Sequence, residues 1–101
     1  MFGDFAFLFA VLMMGHALGD FALQNDYVAR EKKNSLIVMS MHCLIHAGIV
    51  LFLTASVPAA AFQYFSHFVI DKMKCEGSIS FREDQALHTA VMLAIALCMS
   101  I

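Results

Sequence analysis

The sequence predicts an all-α fold, an integral membrane four-helix bundle running up-down-up-down, with a polar His/Asp centre near the cytoplasmic face. Three observations predict it. Of the 101 residues 61% are hydrophobic, with a mean hydropathy of +0.79, against about 45–50% apolar in an average soluble domain. So small a soluble fold has too little interior for that much apolar side chain, so lipid is the expected solvent. The apolar residues fall into four runs of helical length. Each run carries one pair of ligand-type side chains spaced i,i+4: His16/Asp20, His42/His46, His67/Asp71 and Asp84/His88. Residues four apart share one face of a helix, so four such helices can meet around a polar centre.

The length suits one domain, residues 1–101. The first helix is expected over about 5–23, where Gly15 and Gly19 form a small-xxx-small pair that allows close helix contact in a membrane. A polar stretch follows from Gln24 to Asn34; its Arg30, Glu31, Lys32 and Lys33 read as a solvated, headgroup-facing loop. Asn34 or Ser35 can cap a second helix over about 35–55, long enough to cross the ~30 Å hydrocarbon layer at 1.5 Å per residue. Ser56 to Pro58 is a break, with Pro58 suited to the first turn of a third helix. That helix, about 58–73, is short for a span. A loop over 74–79 contains Gly77, and Ser80 with Glu83 reads as a capping box opening the fourth helix, about 81–101.

Charge sets the expected topology. All six basic residues lie in two places: Arg30, Lys32 and Lys33 in one connection, and Lys72, Lys74 and Arg82 around another. The positive-inside rule puts both in the cytoplasm and both termini outside a bacterial-type inner membrane. The N-terminal run lacks a basic leader and contains His16 and Asp20, so it is expected to stay in the mature chain. A net charge of −2 suggests no nucleic-acid partner, which normally needs a basic face. Cys43, Cys75 and Cys98 have no motif spacing and read as free thiols, Cys75 lying nearest the polar end. The Phe and Met residues read as lipid-facing and packing surface. Homo-oligomerisation is compatible with the size, but no motif decides it.

In this bundle the four pairs lie at one membrane face. Helical rise then predicts two layers, Asp20, His42, Asp71 and Asp84 outside and His16, His46, His67 and His88 about 6 Å deeper. Gln24, Gln63 and Gln85 adjoin them and could hydrogen-bond to the ligands. A lone His in an apolar helix is usually a hydrogen-bonded core residue; eight polar groups sharing one spacing and one face are harder to assign to packing alone. An Asp at the centre of a membrane helix costs about 2.5–3.5 kcal/mol, so Asp20, Asp71 and Asp84 together cost up to ~10. A structural divalent metal contributes about 10–16 kcal/mol in soluble peptides, enough to offset that burden. Imidazole and carboxylate suit a divalent transition metal, zinc first, then iron or manganese. Eight ligands exceed one tetrahedral ion, so one or two ions are expected.

The order of these pairs carries a resemblance. His16, Asp20, Phe21 and Gln24 form H-x-x-x-D-F-x-x-Q, which resembles the opening motif of the small membrane-protein family known as domain of unknown function 3307. His42 with His46, His67 with Asp71 and Lys72, and Asp84 with Gln85 and His88 look like its later motifs in the same order. The resemblance covers nearly the whole chain. It implies a bacterial integral membrane protein, often phage-encoded, and no established activity. The family also looks loosely similar to membrane-bound metal-dependent hydrolases.

The residues themselves favour a membrane-embedded, metal-dependent hydrolase. The inner His would hold the ion, with Asp84 or Asp20 as general base. Lys72 and Arg82 would flank a lipid or lipid-linked phosphate at the cytoplasmic leaflet. A metal-binding or metal-carrying protein without chemistry would use the same ligands. A b-type haem protein could use two His as axial ligands but leaves the Asp-rich layer unexplained. In a structural phage protein acting on a host partner, the polar layers would only specify helix packing.

Overall fold

The computed structural model describes residues 2–101. The chain forms α1 (Phe2–Ala17), which continues through Leu18–Ala22 as a π-helical turn, then α2 (Asp26–Glu31), α3 (Leu36–Thr54), α4 (Val57–Cys75) and α5 (Phe81–Ser100). There is no strand among the described residues. The fold is all-α. Two stretches, Asp4–Ala22 and Leu36–Thr54, are long and apolar enough to cross a membrane. Helices α4 and α5 have the length, 19 and 20 residues, but polar residues dilute their hydropathy.

Each boundary has a local cause. Ser35, rather than Asn34, caps α3 by accepting the Val38 N–H at 3.3 Å. Ser56 caps α4 through the Ala59 N–H at 3.1 Å, with Pro58 in the first turn. Ser80 and Glu83 form the expected capping box of α5, at 3.1 and 2.8 Å. Helix α4 runs two residues past Met73 and ends in a Schellman motif. There Ser78 N–H donates to Met73 C=O at 2.9 Å and Gly77 N–H to Lys74 C=O at 3.1 Å. Gly77 takes the left-handed conformation this needs, φ 82°. In contrast, α3 ends on Ala55 in the same region, φ 55°, where a β-carbon is unfavourable. Ala55→Gly should therefore raise stability by about 1 kcal/mol, read as a higher unfolding midpoint in detergent.

The polar stretch read as a loop contains α2, capped by Asn25, whose side chain accepts the Val28 N–H at 2.9 Å. The four long helices pack in a ring in which α1 touches α3 and α5, and α4 touches α3 and α5. One half of the interior is apolar, with Leu12, Val50, Met92, Ile95 and Ala96 buried together. The other half is built from the His and Asp side chains. The long axis measures 42 Å.

Candidate metal centre

Of the eight predicted ligands, His16, His42, His46, His67, Asp71, Asp84 and His88 are buried and Asp20 is half-buried. They come from the C-terminal part of α1 and its π turn, the N-terminal half of α3, the C-terminal half of α4 and the N-terminal half of α5. Alternating helix directions bring those four places to one end of the bundle.

The sequence predicts a regular first helix through about residue 23. Instead the chain makes a π turn, with Leu23 N–H donating to Leu18 C=O at 2.8 Å, a local widening that often marks functional positions. Asp20 sits in this turn, and the Gln24 side chain donates to its carbonyl at 3.3 Å. Gly19 sits directly against the His46 ring. A β-carbon there would lie 2.6 to 2.9 Å from three ring atoms, and His46 cannot retreat because it stacks on His67 at 3.8 Å between centroids. Gly19→Ala should therefore displace the His46 ring and weaken any divalent-metal binding by this group at least ~10-fold with helix content retained, measured by competition with a chromophoric chelator.

Asp20 is the hub. Its Oδ1 lies 3.0 Å from His46 Nε2, 3.3 Å from His42 Nε2 and 3.5 Å from His67 Nε2, and the last two nitrogens are 3.2 Å apart. Four ligands on a tetrahedral ion with bonds of about 2.0–2.1 Å stand about 3.3 Å from one another. Four of the six separations among Asp20, His42, His46 and His67 fall close to that spacing, and one ligand atom of each lies within 4.8 Å of the others, so the group could hold a metal ion. Two further compact groups adjoin it, His16 with His67 and His88, and Asp20 with Asp84 and His88.

Gln85 ties the groups together. Its amide nitrogen donates to Asp84 Oδ2 at 2.9 Å and to Asp20 Oδ2 at 3.3 Å, and its oxygen lies 3.2 Å from His16 Nε2. Gln24 and Gln63 do otherwise: Gln24 accepts from Lys32 Nζ at 2.6 Å, and Gln63 is buried with its oxygen unpartnered among the described residues.

The two predicted layers merge into one cluster, since outer Asp20 reaches inner His46 and His67. Helical side chains lean toward their own N-terminus. On α1 that direction is inward and on α3 it is outward, so Asp20 and His46 lean toward each other across the expected gap.

Asp71 stands apart from the three compact groups. Its Oδ2 pairs with Lys32 Nζ at 2.8 Å, both side chains being about 4% exposed, and lies 3.4 Å from His42 Nε2. Lys32 is therefore a buried counter-charge, not a solvated loop residue; α2 folds over the open end of the bundle and delivers it. The signal for it is the balance of charge, because three carboxylates within apolar helices without a cation are costly. A cavity of about 70 Å³ reaches the site from this end, lined by Asp20, Phe21, Gln24, Lys32, Asp71, Lys74, Phe81, Asp84 and Gln85. Lys32 and Lys74 flank it. The expected pair does not: exposed Lys72 bonds Glu76 at 3.5 Å, and Arg82 is exposed on the first turn of α5.

Cys43 is buried inside α3, Cys75 is half-buried at the end of α4 and Cys98 is exposed; all three are free. No curated protein and no solved structure matches the chain. Residues 8–101, which include all four ligand pairs, match one family, and the chain belongs to it: the family described as "Protein of unknown function (DUF3307)".

Proposed function

We propose that this is an integral membrane protein whose His/Asp centre binds a divalent transition metal and hydrolyses a lipid or lipid-linked substrate at the cytoplasmic leaflet. The observation that carries the metal in this reading is the close approach of Asp20 Oδ1 to the Nε2 atoms of His42, His46 and His67, at 3.0 to 3.5 Å; the hydrolysis rests on the carboxylates and lysines at the cavity beside them. Three imidazoles and one carboxylate suit zinc first, then iron or manganese.

Three features support the membrane. Large apolar side chains stand exposed on all four long helices, Phe7, Ile37, Phe52, Phe65 and Leu97 among them, as side chains facing lipid would. The 42 Å axis compares with about 40–45 Å for a bilayer with its headgroups. At 1.5 Å per residue, α4 and α5 reach about 28–30 Å, so all four long helices can span, with Gln63, His67, Asp71, Asp84 and His88 turned inward and the charged Lys72, Arg82 and Glu83 near the helix ends. All basic residues lie at or next to the end that holds the site, which supports a cytoplasmic position for that end, with both termini on the other side.

A bound divalent ion supplies an acidified water and polarises the bond to be cleaved. Hydrolysis then joins the water oxygen to an acyl carbon or phosphorus, and the departing oxygen takes up a proton. At about 70 Å³ the cavity is far smaller than the roughly 300 Å³ or more of a ligand-enclosing pocket, so the scissile group meets the site at its mouth. Lys74 supplies positive charge there, Lys32 being paired with Asp71, and Asp84 is the carboxylate through which the water is activated. With purified protein and a panel of lipids and lipid phosphates, turnover should be measurable and lost in His46→Ala. Equal, negligible rates for both proteins would remove the hydrolase.

A second reading keeps the metal without chemistry. The four-ligand group favours it, because four protein ligands close a tetrahedral ion. Uptake of zinc into proteoliposomes with no lipid turnover would select this reading.

A further inference from the structure

The first metal group leaves part of the polar interior unused. His88 Nε2 and Asp84 Oδ1 lie 3.2 Å apart. Both residues are at least 98% buried, and neither atom has a hydrogen-bond partner among the described residues. The two face each other as a His–carboxylate pair with no further partner, and their separation is that of neighbouring ligands around one ion. Asp20 completes the set, since Asp20, Asp84 and His88 each offer a ligand atom within 4.8 Å of the others.

The two oxygens of Asp20 face different ways. Oδ1 faces His42, His46 and His67, whereas Oδ2 lies 3.4 Å from His16 Nε2 and 3.3 Å from Gln85 Nε2. Gln85 also holds Asp84 by Oδ2 at 2.9 Å, which leaves Asp84 Oδ1 turned to His88.

We infer that the centre is binuclear, with a second divalent ion bound by Asp20, Asp84 and His88 and with Asp20 bridging the two ions through its separate oxygens. The inference rests on the first ion proposed above. Bridged pairs stand about 3.5–4 Å apart, a separation one carboxylate can link. The two positions differ in access. His42, His46 and His67 do not line the cavity, whereas Asp20 and Asp84 do. The first ion is closed by four protein ligands; the second has three and opens to the cavity, the pattern that separates structural from catalytic zinc. Asp84 then acts on water through this ion.

Reconstitution of the full-length protein in detergent with cobalt(II) or manganese(II) tests this. The wild type should bind two ions per chain, and their paramagnetic resonance should show exchange coupling through the shared carboxylate. Asp84→Asn and His88→Gln, checked for helix content and monodispersity, should each keep one ion with a tetrahedral cobalt spectrum and lose the coupling. One uncoupled ion in the wild type, or unchanged stoichiometry in both variants, overturns the second site. No ion in the wild type removes the first site and the second with it. The wild-type stoichiometry and coupling decide the question even where a variant does not fold.

Discussion

Lys32→Met should destabilise the protein by about 3–5 kcal/mol, because it leaves the Asp71 carboxylate buried without its counter-charge. The pair is 2.8 Å apart with both side chains almost fully enclosed, so solvent cannot screen the loss. Gln24 would also lose its 2.6 Å bond from Lys32. The double variant Lys32→Met with Asp71→Asn removes both charges and should recover most of the loss, since an uncharged pair avoids the desolvation that the lone carboxylate suffers. Unfolding midpoints in one detergent for the wild type, both single variants and the double variant measure this coupling. Additive effects would show that α2 does not deliver Lys32 into the centre.

Asp20→Asn should weaken metal binding by about 10²–10³-fold while the bundle persists. A structural zinc site contributes about 10–16 kcal/mol over four ligands, so one ligand accounts for roughly 2.5–4 kcal/mol. Asn keeps the shape and can still hydrogen-bond to a neighbouring ring nitrogen, but it is a poor ligand and carries no charge. His46→Ala should lose as much affinity or more, because it also opens a gap beside the stacked His67 ring. Competition titration against a chelator of known zinc affinity reads both. Unaltered affinity in Asp20→Asn would take Asp20 out of the coordination sphere.

The convergence of the eight His and Asp side chains at one end of the bundle was legible in the sequence because an α-helix converts an interval of four into a shared face, and four such pairs needed only antiparallel neighbours to converge. Caps and breaks were legible for the same local reasons: Ser56, Gly77, Ser80 and Glu83 act on residues within five positions. What was not legible depends on distance in space. The π turn at Leu18–Ala22 has no signature beyond Gly19, whose missing side chain admits the His46 ring. Lys32 reads as one more charge in a polar stretch, and only the placement of α2 above Asp71 shows it to be a partner. The layers failed because rise per residue locates backbones, whereas contacts are made by side chains that lean in opposite senses on antiparallel helices. The role of Gln85 likewise appears only when α1 and α5 are side by side.

The most direct test of the central claim, that the His/Asp centre holds a metal, is the metal content of gently purified protein by elemental analysis, compared between wild type and His46→Ala. The account predicts at least one equivalent of zinc, iron or manganese per wild-type chain and a large loss in the variant at unchanged helix content. A ratio near zero in the wild type, or equal content in both proteins, would contradict it.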